Sequence, residues 1–146
     1  MAYVTFDTSF IISRKVSSLP DNFLLSEVVV MELMASANDE SERKMYEAMR
    51  AVHEKEGTLI VPTSEDWLMA GRVLYWLTKG RKKKAGGKAP KLIPGASQNM
   101  ALDALIAVSA KRAGAAVVTE NYDDFKVIGY YLDGLSVRRG SQFTKG

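Results

Sequence analysis

At 146 residues, with 47% hydrophobic and 25% charged side chains, the chain has the length and composition of one folded domain that can bury a core without covalent staples. It has no cysteine and a single histidine, His53, which excludes disulfides, thiolate nucleophiles, iron–sulfur clusters, cysteine-based zinc sites and any multi-histidine metal centre. The net charge of +3 hides a segregation: Lys79, Arg81, Lys82, Lys83, Lys84, Lys88 and Lys91 fall in one stretch without acids, and the rest of the chain sets 13 basic side chains against 17 acidic ones.

In chain order, Tyr3-Val4-Thr5-Phe6 is a β-prone run, and Asp7-Thr8-Ser9 reads as a strand end turning into a helix. Residues 10–18 are expected as a short helix or a turn. The run from Glu27 to Ala37 is too long for one strand and is predicted helical, opening after Ser26. Asp39 to Glu56 is a second helix, with Met45, Met49 and Val52 at helical spacing and Gly57 as its stop. Thr58-Leu59-Ile60-Val61 is expected as a buried strand ended by Pro62. Thr63 or Ser64 then caps a helix whose apolar face is assigned to Trp67, Leu68, Gly71, Leu74 and Tyr75.

Gly80, Gly86, Gly87, Pro90, Pro94 and Gly95 punctuate the basic stretch, so a flexible loop is expected at about 79–97. Its lysines either contact a phosphate backbone or form a solvated linker. Ser97 or Asn99 caps a helix to about Ala113, closed by Gly114. Ala115 to Thr119 is a buried strand, Asp123-Asp124-Phe125 begins a helical turn, and Leu135 to Arg138 is a last strand. Strands alternating with helices imply a parallel sheet covered on both faces. The expected architecture is a three-layer α/β/α sandwich with a short, mostly parallel central sheet, formed by residues 1–146 as one domain without internal repeats.

Four acidic positions stand out. Asp7 follows the first strand, and open α/β sheets bind ligands beyond the carboxyl ends of their strands; it would equally serve as a helix cap. Glu32 lies among Val28, Val29, Val30, Met31, Leu33 and Met34, so its carboxylate is at least partly buried and needs a proton, a partner or a metal, unless it reaches solvent from a helix edge. Asp103 is the lone charge at the start of an apolar helix, where the helix dipole alone would also favour it. Asn121, Asp123 and Asp124 follow the strand ending at Thr119, and a turn with a helix cap accounts for one of them. Carboxylates gathered at one sheet edge without local Lys or Arg repel each other, and a hard divalent cation such as Mg2+ or Mn2+ relieves that repulsion.

These segments resemble the PIN-domain ribonucleases, and within them the toxin halves of VapBC-type toxin–antitoxin pairs. Phe6-Asp7-Thr8-Ser9-Phe10-Ile11-Ile12 resembles the first acidic motif. Ser26 to Val30 with Glu32-Leu33 resembles the second, and Leu102-Asp103-Ala104-Leu105-Ile106-Ala107 the third. Val118-Thr119-Glu120-Asn121-Tyr122-Asp123-Asp124-Phe125 resembles the fourth. The resemblance implies a catalytic metal site of Asp7, Glu32, Asp103 and Asp124 for Mg2+ or Mn2+. Asn121 stands where some members carry the fourth acid, so either Asn121 or Asp124 would face the metal. Thr8, Ser9 and Thr119 would be polar supports. The implied reaction is metal-dependent hydrolysis of RNA phosphodiesters, with Lys79, Arg81, Lys82, Lys83, Lys84 and Lys88 holding the backbone.

The implied partners are RNA, an antitoxin protein and a second copy of the chain. No segment has the roughly 18 consecutive apolar residues of a membrane span, the first residues lack a basic leader, and a cytoplasmic location is expected. His53 is expected at a helix surface. Trp67 and Trp76 are assigned to core or interface. Met31, Met34, Met45 and Met49 fill helix faces or line a groove for a partner helix. The alternatives are a noncatalytic PIN-like domain binding RNA or protein, a receiver-like phosphoacceptor, and a structural α/β domain whose acids are all caps. Asp103 on a predicted helix argues against the receiver.

Overall fold

The structure, a computed structural model, describes residues 2–14, 19–79 and 97–143. Arg81, Lys82, Lys83, Lys84 and Lys88, with most of the expected basic loop, lie outside the described residues. So do residues 15–18.

Strand β1 (Tyr3–Phe6) leads into helix α1 (Thr8–Arg14), and strand β2 (Leu25–Ser26) into helix α2 (Glu27–Ala35). Helix α3 (Glu40–Glu56), strand β3 (Leu59–Ile60) and helix α4 (Ser64–Lys79) follow. Helix α5 (Ser97–Arg112), strand β4 (Ala115–Thr119), helix α6 (Tyr122–Gly129), strand β5 (Val137–Arg139) and a 3-10 turn (Gly140–Gln142) complete the order. All the strand pairings are parallel: β1 with β4, β4 with β5, and β2 with β3. A single parallel bridge, Val4 to Phe23, links the smaller pair to the larger sheet. Every strand therefore delivers its carboxyl end to the same edge.

The two sheet faces carry separate cores. Val4 and Phe6 of β1 and Ala116 and Val118 of β4 pack with Phe10, Phe23, Leu25 and Val30. The alternate residues of β4, Ala115 and Val117, face the opposite core, built from α2, α4, α5 and α6. Side chains sealed completely, such as Leu33, Val73, Leu77 and Phe125, each contribute roughly 1.5–3 kcal/mol of burial. The chain is thus an α/β sandwich with helices on both faces of a short parallel sheet.

Local sequence explains the helix ends. The Asp39 side chain accepts the Glu42 backbone N–H at 2.8 Å and starts α3; Gly57, at φ 75°, ends it. At α4 the Thr63 hydroxyl accepts the Asp66 N–H and the Asp66 carboxylate accepts the Thr63 N–H, a reciprocal cap. Asp66 also accepts from Arg112 Nε at 2.8 Å, which ties α4 to the end of α5.

Four expectations change. The apolar face assigned to α4 is reversed: Trp67, Leu68 and Tyr75 are exposed, and Ala70, Val73 and Leu77 are the buried stripe. The smaller residues lie inward because α4 packs closely on α5. The strand expected at Thr58–Val61 shrinks to two residues, with Val61 exposed, because β3 sits at the sheet margin. Strand β2 was not foreseen; two residues are too few to show a period. His53 is half-buried rather than superficial, hydrogen-bonded through Nδ1 to Thr58 Oγ1 at 2.7 Å and edge-on to Phe23.

Candidate active site

Asp7 follows β1 directly and is buried. Its Oδ1 accepts the Phe10 backbone N–H at 3.1 Å and the Ser9 hydroxyl at 2.9 Å, and its Oδ2 accepts the Thr119 hydroxyl at 2.8 Å. Thr119, the last residue of β4, accepts the Asn121 backbone N–H at 2.8 Å through the same hydroxyl. The carboxylate is thus fixed by both strand ends, which the β1–β4 pairing brings side by side. Burial nevertheless pushes its pKa up, against the lowering effect of these hydrogen bonds, and the nearby Glu120 adds to the rise.

Glu32 projects from α2, half-buried, and its Oε1 accepts the Thr8 hydroxyl at 2.8 Å. Its pKa is raised by burial first, with the Thr8 bond opposing and the Asp7 charge assisting. Asp103 projects from the second turn of α5. Burial, then the charges of Asp7, Glu32 and Asp124, push its pKa up to about 7. The charges that bear on Asp103 thus come from residues set by the end of β1, by α2 and by α6, and no cation is among the causes of its rise.

Asp124 is exposed in the first turn of α6, and Asn121 precedes that helix at its N-cap position. Of the two, Asp124 is the residue whose charge reaches Asp103, whereas Asn121 bonds to Thr119 through its backbone. Among the described residues no three acids stand close enough together to make a ready-made metal cage. The donor set still fits a hard dication. It offers only oxygen, Asp7, Glu32 and Asp103 resist ionisation, and a cation drawn among them would relieve both burial and repulsion. Lys79 lies at the end of α4, exposed and assigned no contact with these acids.

The sequence reading passed over the far side of this edge. Arg139 ends β5 in register with Thr119, and its guanidinium carbon lies 4.0 Å from the centroid of the Tyr122 ring. The strand-end rule that selected Asp7 applies equally to Arg139. Gly140 follows it, where an added Cβ would fall within 2.6 Å of the Phe10 ring and closer still to the Glu120 carboxylate, so only glycine lets the chain pass.

Residues 4–129 match the PIN domain family. No curated protein matches at the level of sequence. Among solved structures, the chain is similar to the DNA-bound VapBC of Salmonella typhimurium, at 19% identity and a TM-score of 0.59, covering 96% of this chain and 99% of that one. It is similar to VapBC2 of Rickettsia felis bound to a promoter DNA fragment, at 17% identity and a TM-score of 0.59, covering 94% and 98%. VapBC-1 of nontypeable Haemophilus influenzae matches at 21% identity and a TM-score of 0.56, covering 96% and 99%. At such identities the likeness establishes the fold, and the match along most of the sequence establishes the kinship: the chain belongs to the PIN domain family.

Proposed function

We propose that this protein is a metal-dependent endoribonuclease, the toxin of a toxin–antitoxin pair, in which Asp7, Glu32, Asp103 and Asp124 hold Mg2+ or Mn2+. The observation that carries this reading is the pair of strand ends that fixes the buried Asp7 carboxylate through Thr119 at 2.8 Å, with Glu32 tied to the adjoining Thr8 and the Asp7, Glu32 and Asp124 charges bearing on Asp103. Membership of a family made up generally of nucleases supports it. A bound dication would supply an activated water and offset the negative charge that develops on the phosphate. The chain's own residues do the rest. Ser9, Thr119 and the Phe10 N–H fix both Asp7 oxygens, and Thr8 holds one Glu32 oxygen. Asn121 acts through its backbone, steadying Thr119 and through it Asp7.

The protein partner is an antitoxin helix. A groove of about 450 Å3 between α2, α4 and α5, lined by Val28, Met31, Met34, Trp67, Leu102 and Leu105, suits an apolar helix face. The relatives crystallised as VapBC assemblies support this choice. Leu68, next to Trp67, and Tyr75, about two turns farther along α4, are exposed and suit a second copy of the chain. Such a toxin acts in the cytoplasm, where its RNA is.

The test is cleavage of single-stranded and structured RNA with Mn2+ or Mg2+. Wild-type protein cleaves, chelator stops it, and Asp103→Asn lowers the rate by at least about 100-fold, the scale of losing one charged group that acts on the transition state. Wild-type protein that cuts no RNA with either metal would overturn the reading. The lack, among the described residues, of a ready-made group of three ligands then favours the noncatalytic alternative, a PIN-like domain that binds RNA or protein without cutting.

A further inference from the structure

The acid edge has a physical difficulty as a nucleic-acid site, because its own charge repels the phosphates it must receive. A cavity of about 260 Å3 beside it is lined by Glu120, Asn121, Tyr122, Asp123, Asp124 and Arg139. Arg139 is the one cation in that lining. It leaves β5 at the same edge as Thr119 leaves β4, so it stands beside the acids and not across the molecule from them. The exposed guanidinium lies over Tyr122, and it forms no ion pair among the described residues. Stacking of this kind holds the plane of the guanidinium while leaving its edge N–H groups for a bidentate acceptor. Lys126 Nζ lies 5.9 Å from the same ring, one helical turn on, and adds positive potential there. Gly140, where a Cβ would meet the Phe10 ring and the Glu120 carboxylate, lets the chain pass close behind Arg139.

We propose that Arg139, stacked on Tyr122, is the seat for the RNA phosphate next to the one that is cut. The inference rests on the nuclease reading for the identity of the ligand. It assigns to this pocket a role in substrate binding that the four acids do not have. The guanidinium donates two N–H hydrogen bonds to oxygens of the neighbouring phosphate and so draws the strand toward the carboxylates. Tyr122 contributes through its ring and not its hydroxyl.

The test measures binding and cleavage separately. Binding of a fluorescein-labelled single-stranded RNA 12-mer is followed by anisotropy in the Asp103→Asn background, with Mn2+ present, across a salt series. Adding Arg139→Met is expected to raise Kd about tenfold and to lower the salt slope by about 0.7, the loss of one phosphate contact on a single strand. Arg139→Lys, which keeps the charge but not the fork, should recover the salt slope and only part of the affinity. Tyr122→Phe should bind as its parent, and Tyr122→Leu should weaken binding severalfold. In the otherwise wild-type enzyme Arg139→Met should raise KM with a smaller effect on kcat. An unchanged Kd and salt slope in Arg139→Met overturns the inference, even if the wild type cleaves RNA. A protein that cleaves nothing but still loses affinity and slope with Arg139→Met keeps the phosphate seat and loses the nuclease.

Discussion

Asp103 carries a consequence for stability that separates a ligand from a structural cap. Its folded pKa, about 7, lies above the ordinary 3.8, so between those values the folded protein keeps a proton that the unfolded chain has released. Without metal, stability is therefore greatest near pH 4 on this account and falls as pH rises through about 7. His53 works in the opposite sense, since burial holds its pKa below 6.5 and stability is lost as it protonates. Comparing wild type with Asp103→Asn cancels that contribution. We expect the metal-free variant to melt at least about 3 °C higher than wild type at pH 8 and to match it near pH 4, as about 1 kcal/mol would give in a domain of this size. A variant that melts lower at pH 8 would mark Asp103 as a stabilising cap. Sequence alone could flag this residue, because a lone acid in Met100-Ala101-Leu102-Asp103-Ala104-Leu105 conflicts with its surroundings. Its grouping with Asp7, Glu32 and Asp124 rests on the family resemblance, because nothing in that segment says that α2 and α6 arrive beside it. Arg139 was missed because an arginine after a strand is ordinary until a ring is found beneath it.

Among the elements, those with strong local signals were legible: β1, α3 with its Asp39 start and Gly57 stop, and β4, whose Ala-Ala-Val-Val-Thr run is buried throughout. Helix α4 shows the limit. Its large apolar residues lie on more than one side, with Trp67, Leu68 and Tyr75 outward and Met69, Leu74, Trp76 and Leu77 against the core, so periodicity cannot say which side meets the core. The close approach of α5 decides for Ala70, Val73 and Leu77. The first turn of the same helix holds Asp66, which is 3% exposed and serves two partners, the Thr63 N–H and Arg112. Asp66→Ala should cost about 2–4 kcal/mol, since it removes a cap and strands the Arg112 guanidinium against the Val61 carbonyl it also reaches. Urea denaturation reads the loss. A cost under about 0.5 kcal/mol would show that neither bond contributes.

At the scale of the whole molecule, charge is divided between an acidic body and one lysine-rich stretch. If that stretch holds RNA, replacing Lys82, Lys83 and Lys84 with glutamine should weaken RNA binding and flatten its salt dependence by about 2, while Mn2+ affinity stays as it was. Anisotropy titrations at several salt concentrations measure this, and an unchanged slope would leave those lysines as a solvated linker. The exposed apolar face of α4 and the groove beside Met31 belong to this scale too, because no residue-level rule distinguishes a helix side left for a partner from one turned inward. The sheet itself was predictable from alternation of strands and helices; its margins, two residues deep at β2 and β3, were not.

The order of the strands has one more outcome. Asp7 and Glu32 lie before the lysine-rich stretch, and Asp103 and Asp124 after it, yet β1 lies against β4 and α4 against α5. A trypsin nick in that stretch would leave two halves, each holding two of the four carboxylates of the proposed centre. If that centre is the catalytic one, activity would need the halves to pair again through β1 and β4, and the scaffold would lend itself to a split reporter whose signal counts reunited pairs.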